Sequence, residues 1–208
     1  MFEMVGQINR GSLLGEHIFR LSKNPEIKVI VEIGTWNGMG STKCIYDGII
    51  QGLKKEHLVL SIECNLTRHK EALTNLISLR NFNLIHGTIV SIDEMEAIKG
   101  KFNLTTTSQP WWAEDVTQIK SAPYILDQIP EKIDLLILDG GEFTSHLEFE
   151  KLWNRTRFIV LDDTDNTKSV KSYESREFIL SHPDNFKIIE DNLQDRNGFL
   201  VCENITKA

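Results

Sequence analysis

Residues 28–42, KVIVEIGTWNGMGST, constrain the fold more than any other stretch. Val29-Ile30-Val31, continued by Glu32-Ile33-Gly34, is a nearly continuous β-branched run, which fits a strand buried on both faces of a parallel sheet. Trp36, Gly38 and Gly40 then mark a short turn, and Ser41-Thr42 stand ready to start a helix. Glycines there let the chain turn sharply and bring its N–H groups close to a ligand. The helix that follows points its positive end at the same spot. The unit is a strand, a glycine loop and a helix, the usual cradle for a nucleotide-like cofactor.

The glycine spacing is Gly34-x-x-x-Gly38-x-Gly40. It does not fit the G-x-G-x-x-G of dinucleotide sites, and no Lys stands where a phosphate-binding P-loop needs one. Glu32 would repel a pyrophosphate and would welcome a cofactor with a cationic centre and an amino group. The stretch resembles the first motif of the class I S-adenosylmethionine-dependent methyltransferases, [DE]-x-G-x-x-x-G-x-[GS], matched by Glu32, Gly34, Gly38, Gly40 and Ser41. The bland alternative is a glycine loop that turns the chain in some other α/β protein.

The rest of the chain extends this unit. Residues 1–24 read as a helical lead-in, with Leu13, Leu14, Ile18 and Leu21 at helical spacing and Pro25 ending the run. After the glycine loop, a helix from Ser41 carries Cys44, Ile45, Ile49 and Leu53 inward. Residues 57–63 (HLVLSIE) form a second buried strand ending in Glu63, whose carboxylate suits a ribose diol. A helix over 67–79 follows, with Ala72, Leu73, Leu76 and Ile77 on one face. Residues 83–86 are a third strand, followed by Gly87-Thr88. Residues 100–121 are the least regular part, an insertion or lid in which Thr105 to Ser108 and Pro110 break any period. Trp111-Trp112 there would wall a substrate or plug the sheet edge. A short helix over 121–128 leads to Pro130. Residues 133–139 (IDLLILD) and 157–162 (RFIVLD) are the fourth and fifth strands. Between them Thr144 caps a helix that turns Phe149, Leu152 and Trp153 inward. A helix over 169–181 precedes two last strands, 186–190 and 198–202, paired antiparallel around Asn197-Gly198.

At 208 residues this reads as one domain, 1–208, with room for a real core. The formal charge of −7 and the lack of a long basic run disfavour a nucleic-acid substrate. No apolar stretch is long enough to cross a membrane, and the first residues do not read as a signal peptide. Cys44, Cys64 and Cys202 lack metal-ligand spacing and read as small hydrophobes in a reducing, cytoplasmic setting.

Asp139 ends the fourth strand, and Asp162 and Asp163 end the fifth, so a parallel sheet brings all three to the rim that carries the glycine loop. Carboxylates that close repel one another unless a proton or a cation sits between them. An all-oxygen set suits Mg2+, Mn2+ or Ca2+. The order of elements resembles the small metal-dependent O-methyltransferases, above all those of sugar and antibiotic tailoring with an Asp-Gly after strand four and a Leu-Asp-Asp at strand five. That resemblance implies a Rossmann-like α/β fold with a seven-stranded, mostly parallel sheet, helices on both faces and a C-terminal antiparallel hairpin. It implies S-adenosyl-L-methionine held by Glu32, Gly34, Thr35, Trp36, Gly38, Gly40 and Ser41, by Glu63 and Cys64 at the ribose, and by Gly87, Thr88 and Asp139 beyond. It also implies Asp139, Asp162 and Asp163 as ligands of Mg2+ (or Mn2+ or Ca2+). The His usual after the strand-four Asp-Gly is missing, and no Lys stands beside it as base; Asp139 and His146 are the candidate catalytic residues, with a solvated helix histidine as the alternative for His146. The implied reaction is methyl transfer to a hydroxyl of a small polar molecule. A nicotinamide oxidoreductase of Rossmann type and a catalytically silent binding module are the rivals.

Overall fold

The computed structural model describes residues 7–53, 56–76 and 80–207. The first six residues of the lead-in, and Ile77 in the helix expected over 67–79, lie outside them. Seven strands form one sheet: β1 (Val29–Ile33), β2 (Leu58–Glu63), β3 (Phe82–His86), β4 (Ile133–Leu138), β5 (Thr156–Asp162), β6 (Phe186–Asn192) and β7 (Phe199–Asn204). Their order is β3-β2-β1-β4-β5-β7-β6. The first five run parallel, and β7 lies antiparallel between β5 and β6. The order reverses between β1 and β4, and ligands of open α/β sheets bind outside the strand ends at such a switch point.

The apolar strands are sandwiched, and successive side chains serve opposite faces. Ile30, Val59, Leu135, Ile137 and Val160 pack under α1 (Leu13–Lys23) and α2 (Ser41–Gln51) through Leu14, Ile18, Cys44 and Ile45. Val31, Leu60, Leu136, Ile159 and Leu161 pack on the other face against Phe149 and Leu152 of α6 (Ser145–Leu152) and Ile179 of α7 (Tyr173–Ser181). Leu13 and Leu53, expected inside, are exposed: Leu13 is the first residue of α1, and Leu53 lies beyond the end of α2 in a turn with φ 51. Leu73 is likewise exposed on α3 (Leu66–Asn75), which turns only Ala72 inward.

The expectation of irregularity over 100–121 holds for 102–107 and fails from Ser108 on. Ser108–Ser121 is a 14-residue helix, α5. Pro110 occupies its first turn, where a missing N–H costs nothing. Trp112 and Ile119 turn into a satellite core with Met95 and Ile98 of α4 (Ile92–Ile98) and with Phe143. Trp111 remains half exposed beside a cleft. The pair is thus split: Trp112 packs among helices and loops rather than plugging the sheet edge, and Trp111 borders the cleft. Beyond Ser121, the last residue of α5, the expected helix to Gln128 is reduced to a single 3-10 turn, Leu126–Gln128. The preceding residues are extended, with Tyr124 bridged to Thr88. Lys171 lies in the irregular run before α7, which starts at Tyr173 rather than at 169.

Candidate active site

A cleft of about 620 Å3 opens at the carboxyl ends of β1, β2, β4 and β5. It is lined by Gly34, Thr35, Trp36, Gly40, Ser41, Glu63, Cys64, Gly87, Thr88 and Asp139, so ten of the residues expected at a cofactor meet in one place. Gly34 has φ +100, and a Cβ there would stand 2.1 Å from the Asp139 carbonyl oxygen. A side chain would therefore wedge β1 from the strand-four end. Glu63 is the joint of the cleft: one carboxylate oxygen accepts from the Trp36 N–H at 2.7 Å and the other from the Asn65 N–H at 2.7 Å. It fixes the glycine loop to the end of β2 and keeps further lone pairs for a ligand. Trp36 is held at φ 50, strained backbone for a bulky residue, with the Arg68 guanidinium 5.5 Å from its ring.

Two residues expected at the cofactor stand elsewhere. Glu32 is wholly buried below the loop, accepting hydrogen bonds from Thr42 Oγ1 at 2.8 Å and Ser61 Oγ at 2.5 Å. It ties the first turn of α2 to β2 and supports the loop from behind. Gly38 also faces away, its Cβ position filled by Leu76 and Ala72. Thr88 lines the cleft with its hydroxyl engaged by the Val90 backbone. The Cys64 thiol bonds Gln118 Oε1 at 3.0 Å. His146, expected as a catalytic residue, lies outside the cleft. Its Nδ1 meets Ser175 Oγ at 3.0 Å, and its Nε2 lies 3.5 Å from Glu174 and 3.7 Å from Glu150. The rotation of α6 aims this ring at α7.

The acids come together as expected, with oxygens of Asp139, Asp162 and Asp163 all within 4.8 Å of one another. By atom type and spacing they suit an oxygen-liganded cation. Two residues that were not anticipated occupy that role. Lys171 Nζ stands 2.5 Å from Asp139 Oδ1 and 3.3 Å from Asp163 Oδ2, and Arg196 reaches Asp162 Oδ2 at 3.1 Å. With an ammonium already among the oxygens, the arrangement does not fit a divalent ion. No sequence pattern announces these cations; the hint was only that three acids on one rim need a counter-charge.

The cleft is strongly acidic. Glu63, Glu114, Asp115, Asp139, Glu142, Glu148, Asp162 and Asp163 line it against Arg68 and Arg196. Burial pushes Glu148 up to about 7 and Asp115 up to about 6, and burial with the Asp139 charge pushes Asp162 up to about 7. Burial lifts Glu32 to about 7 as well. Such acids hold protons more tightly folded than unfolded, so the stability they lend is lost as pH climbs from the ordinary carboxylate range to about 7. The ligand-free protein is expected to melt at a higher temperature near about pH 5 than near about pH 8. Thermal denaturation in matched ionic strength checks this, and a melting point that rises over the same interval would contradict it.

Glu148 Oε2 is buried, lines the cleft and has no hydrogen-bond partner among the described residues. A buried acceptor left unpaired is costly, which fits a donor-bearing ligand such as the amino groups of S-adenosylmethionine.

No protein-family model matches the chain, and no curated protein matches it. Solved structures do. An O-methyltransferase from Bacillus cereus in complex with SAH superposes with a TM-score of 0.57 at 17% identity, covering 96% of this chain and 84% of that one. A Staphylococcus aureus protein provisionally classed as a caffeoyl-CoA O-methyltransferase gives 0.58 at 15%, over 96% and 86%. Precorrin-6y C5,15-methyltransferase from Geobacter metallireducens gives 0.56 at 13%, over 95% and 90%. At such identities the likeness speaks for architecture: this chain has the Rossmann-like fold of the class I S-adenosylmethionine-dependent methyltransferases.

Proposed function

We propose that the chain transfers the methyl group of S-adenosylmethionine to a hydroxyl of a small polar acceptor, such as a sugar or a secondary metabolite. The observation that carries the reading is Glu63, buried at the end of β2, clamped to the glycine loop and open to the cleft. When bound, the cofactor supplies an electrophilic methyl on a sulfonium. Glu63 accepts the ribose hydroxyls, and the loop from Gly34 to Ser41 meets the amino-acid end. The carboxylate lining favours the sulfonium cation over the uncharged product, which assists release after transfer. Asp139 is the group placed to take the acceptor's proton, with the ammonium of Lys171 keeping it oriented. Catalysis is then mainly alignment.

The same lining argues against a nicotinamide dinucleotide, whose pyrophosphate would meet eight acidic side chains offset only by Arg68, Arg196 and the nearby Lys171. It also argues for neutral or cationic acceptors over anionic ones. The three free cysteines accord with a reducing, cytoplasmic setting.

Calorimetry with S-adenosylhomocysteine is the test. Saturable binding is expected, with turnover of S-adenosylmethionine on neutral or amine-bearing hydroxy compounds at least about tenfold faster than on carboxylated analogues. Folded protein that ignores this ligand while NADH quenches its tryptophan fluorescence would replace the reading with an oxidoreductase.

A further inference from the structure

The carboxylate cluster holds its own counter-ions, drawn from distant segments. Lys171 Nζ lies 2.5 Å from Asp139 Oδ1 and 3.3 Å from Asp163 Oδ2, and its side chain is only 7% exposed. Arg196, from the loop between β6 and β7, takes Asp162 at 3.1 Å and lies 3.9 Å from Asp163. We propose that the Lys171 ammonium is the resident cation of Asp139, Asp162 and Asp163, and that this cluster takes no divalent metal.

Charge and space both support this. Three carboxylates face two fixed positive charges, so little attraction remains for a dication. A hard divalent ion needs its oxygens at about 2.0–2.6 Å, which is the room the ammonium fills beside Asp139. An entering ion would have to expel Lys171, and the segment that carries it is pinned. Glu142 Oε1 accepts from Ser169 Oγ at 2.9 Å and from the Val170 N–H at 3.0 Å. The Lys171 N–H bonds Ser169 Oγ at 3.1 Å, and the Ser172 N–H bonds the Asp163 carbonyl at 3.3 Å. Glu142 is thereby a positioning residue for the ammonium. An oxygen-bearing acceptor entering the cleft meets a positive charge that is already part of the chain.

The inference is independent of methyl transfer, because Mn2+ uptake is read without cofactor. The probe is Mn2+ titrated into the full chain and followed by electron paramagnetic resonance of the free ion. Wild type is expected to bind no Mn2+ at this cluster tighter than about 1 mM. Lys171→Ala removes the charge and opens the space, and it is expected to gain one site at least about tenfold tighter. Asp163→Asn in that background abolishes the gain. Lys171→Arg keeps a cation and gains no site, which guards the test should the alanine variant fold poorly. Stoichiometric Mn2+ binding to wild type that Asp139→Asn or Asp163→Asn removes would overturn the proposal. So would a folded Lys171→Ala with no gain in Mn2+ affinity.

Discussion

Gly34→Ala is expected to lower the melting temperature by about 10 °C or more and to abolish binding of S-adenosylhomocysteine. A Cβ at this position meets the Asp139 carbonyl oxygen at 2.1 Å, its carbon at 2.4 Å and the Gly140 nitrogen at 2.8 Å. All three are backbone atoms, so no rotamer relieves the clash. The backbone angle adds to it, since φ +100 is territory that L side chains rarely enter. Relief requires parting the ends of β1 and β4, where the Asp139 N–H bonds the Ile33 carbonyl at 2.9 Å. A cost of about 4 kcal/mol is reasonable for such strain in a buried strand end, and about 2–4 °C accompanies each kcal/mol in a domain of this size. Gly100→Ala is the control: nothing lies within 4 Å of its added carbon, so its melting point stays near that of wild type. Differential scanning calorimetry of the two variants decides the matter, and a Gly34→Ala protein as stable as Gly100→Ala would refute the packing described here.

Glu63→Gln is expected to weaken S-adenosylhomocysteine at least about 100-fold while leaving a folded protein. Glutamine is a poor stand-in because both carboxylate oxygens already accept backbone N–H groups, from Trp36 and Asn65. An amide offers one oxygen and turns its NH2 against the other donor. The glycine loop loses a tether at the moment the ribose loses a charge-assisted acceptor. Each such loss is worth about 1.5–3 kcal/mol, and two together exceed the hundredfold mark. Isothermal titration at neutral pH reads the change directly. Affinity within about threefold of wild type would mean the sugar lies elsewhere.

The parts of the fold that sequence revealed are those whose burial is two-sided. β1, β2, β4 and β5 are apolar on successive residues because Ile30 and Val31, or Leu136 and Ile137, serve opposite cores. The glycine loop announces itself for a similar reason, since only particular residues allow its path. Helix α5 was hidden by its own start: Thr105 to Ser108 and Pro110 read as loop, yet proline is harmless in a first turn. The recurrence of Trp112, Val116 and Ile119 was the available signal, and those three share the satellite core. Glu32 was misplaced because its role depends on register. Ser61 sits directly across from it on β2, and one strand's sequence does not disclose its neighbour. Lys171 and Arg196 were invisible for a stronger version of that reason. Lys171 lies 32 residues beyond Asp139 and 8 beyond Asp163, Arg196 lies 34 beyond Asp162, and no periodicity marks either.

Helix α5 has two allegiances. Trp112 and Ile119 belong to the satellite core, whereas Trp111, Glu114, Asp115 and Gln118 look onto the cleft. The two faces are nevertheless tied, because Asp115 Oδ2 accepts the Phe143 N–H at 3.0 Å and Ile119 also borders the cleft, so a substitution inherited on one side is felt on the other.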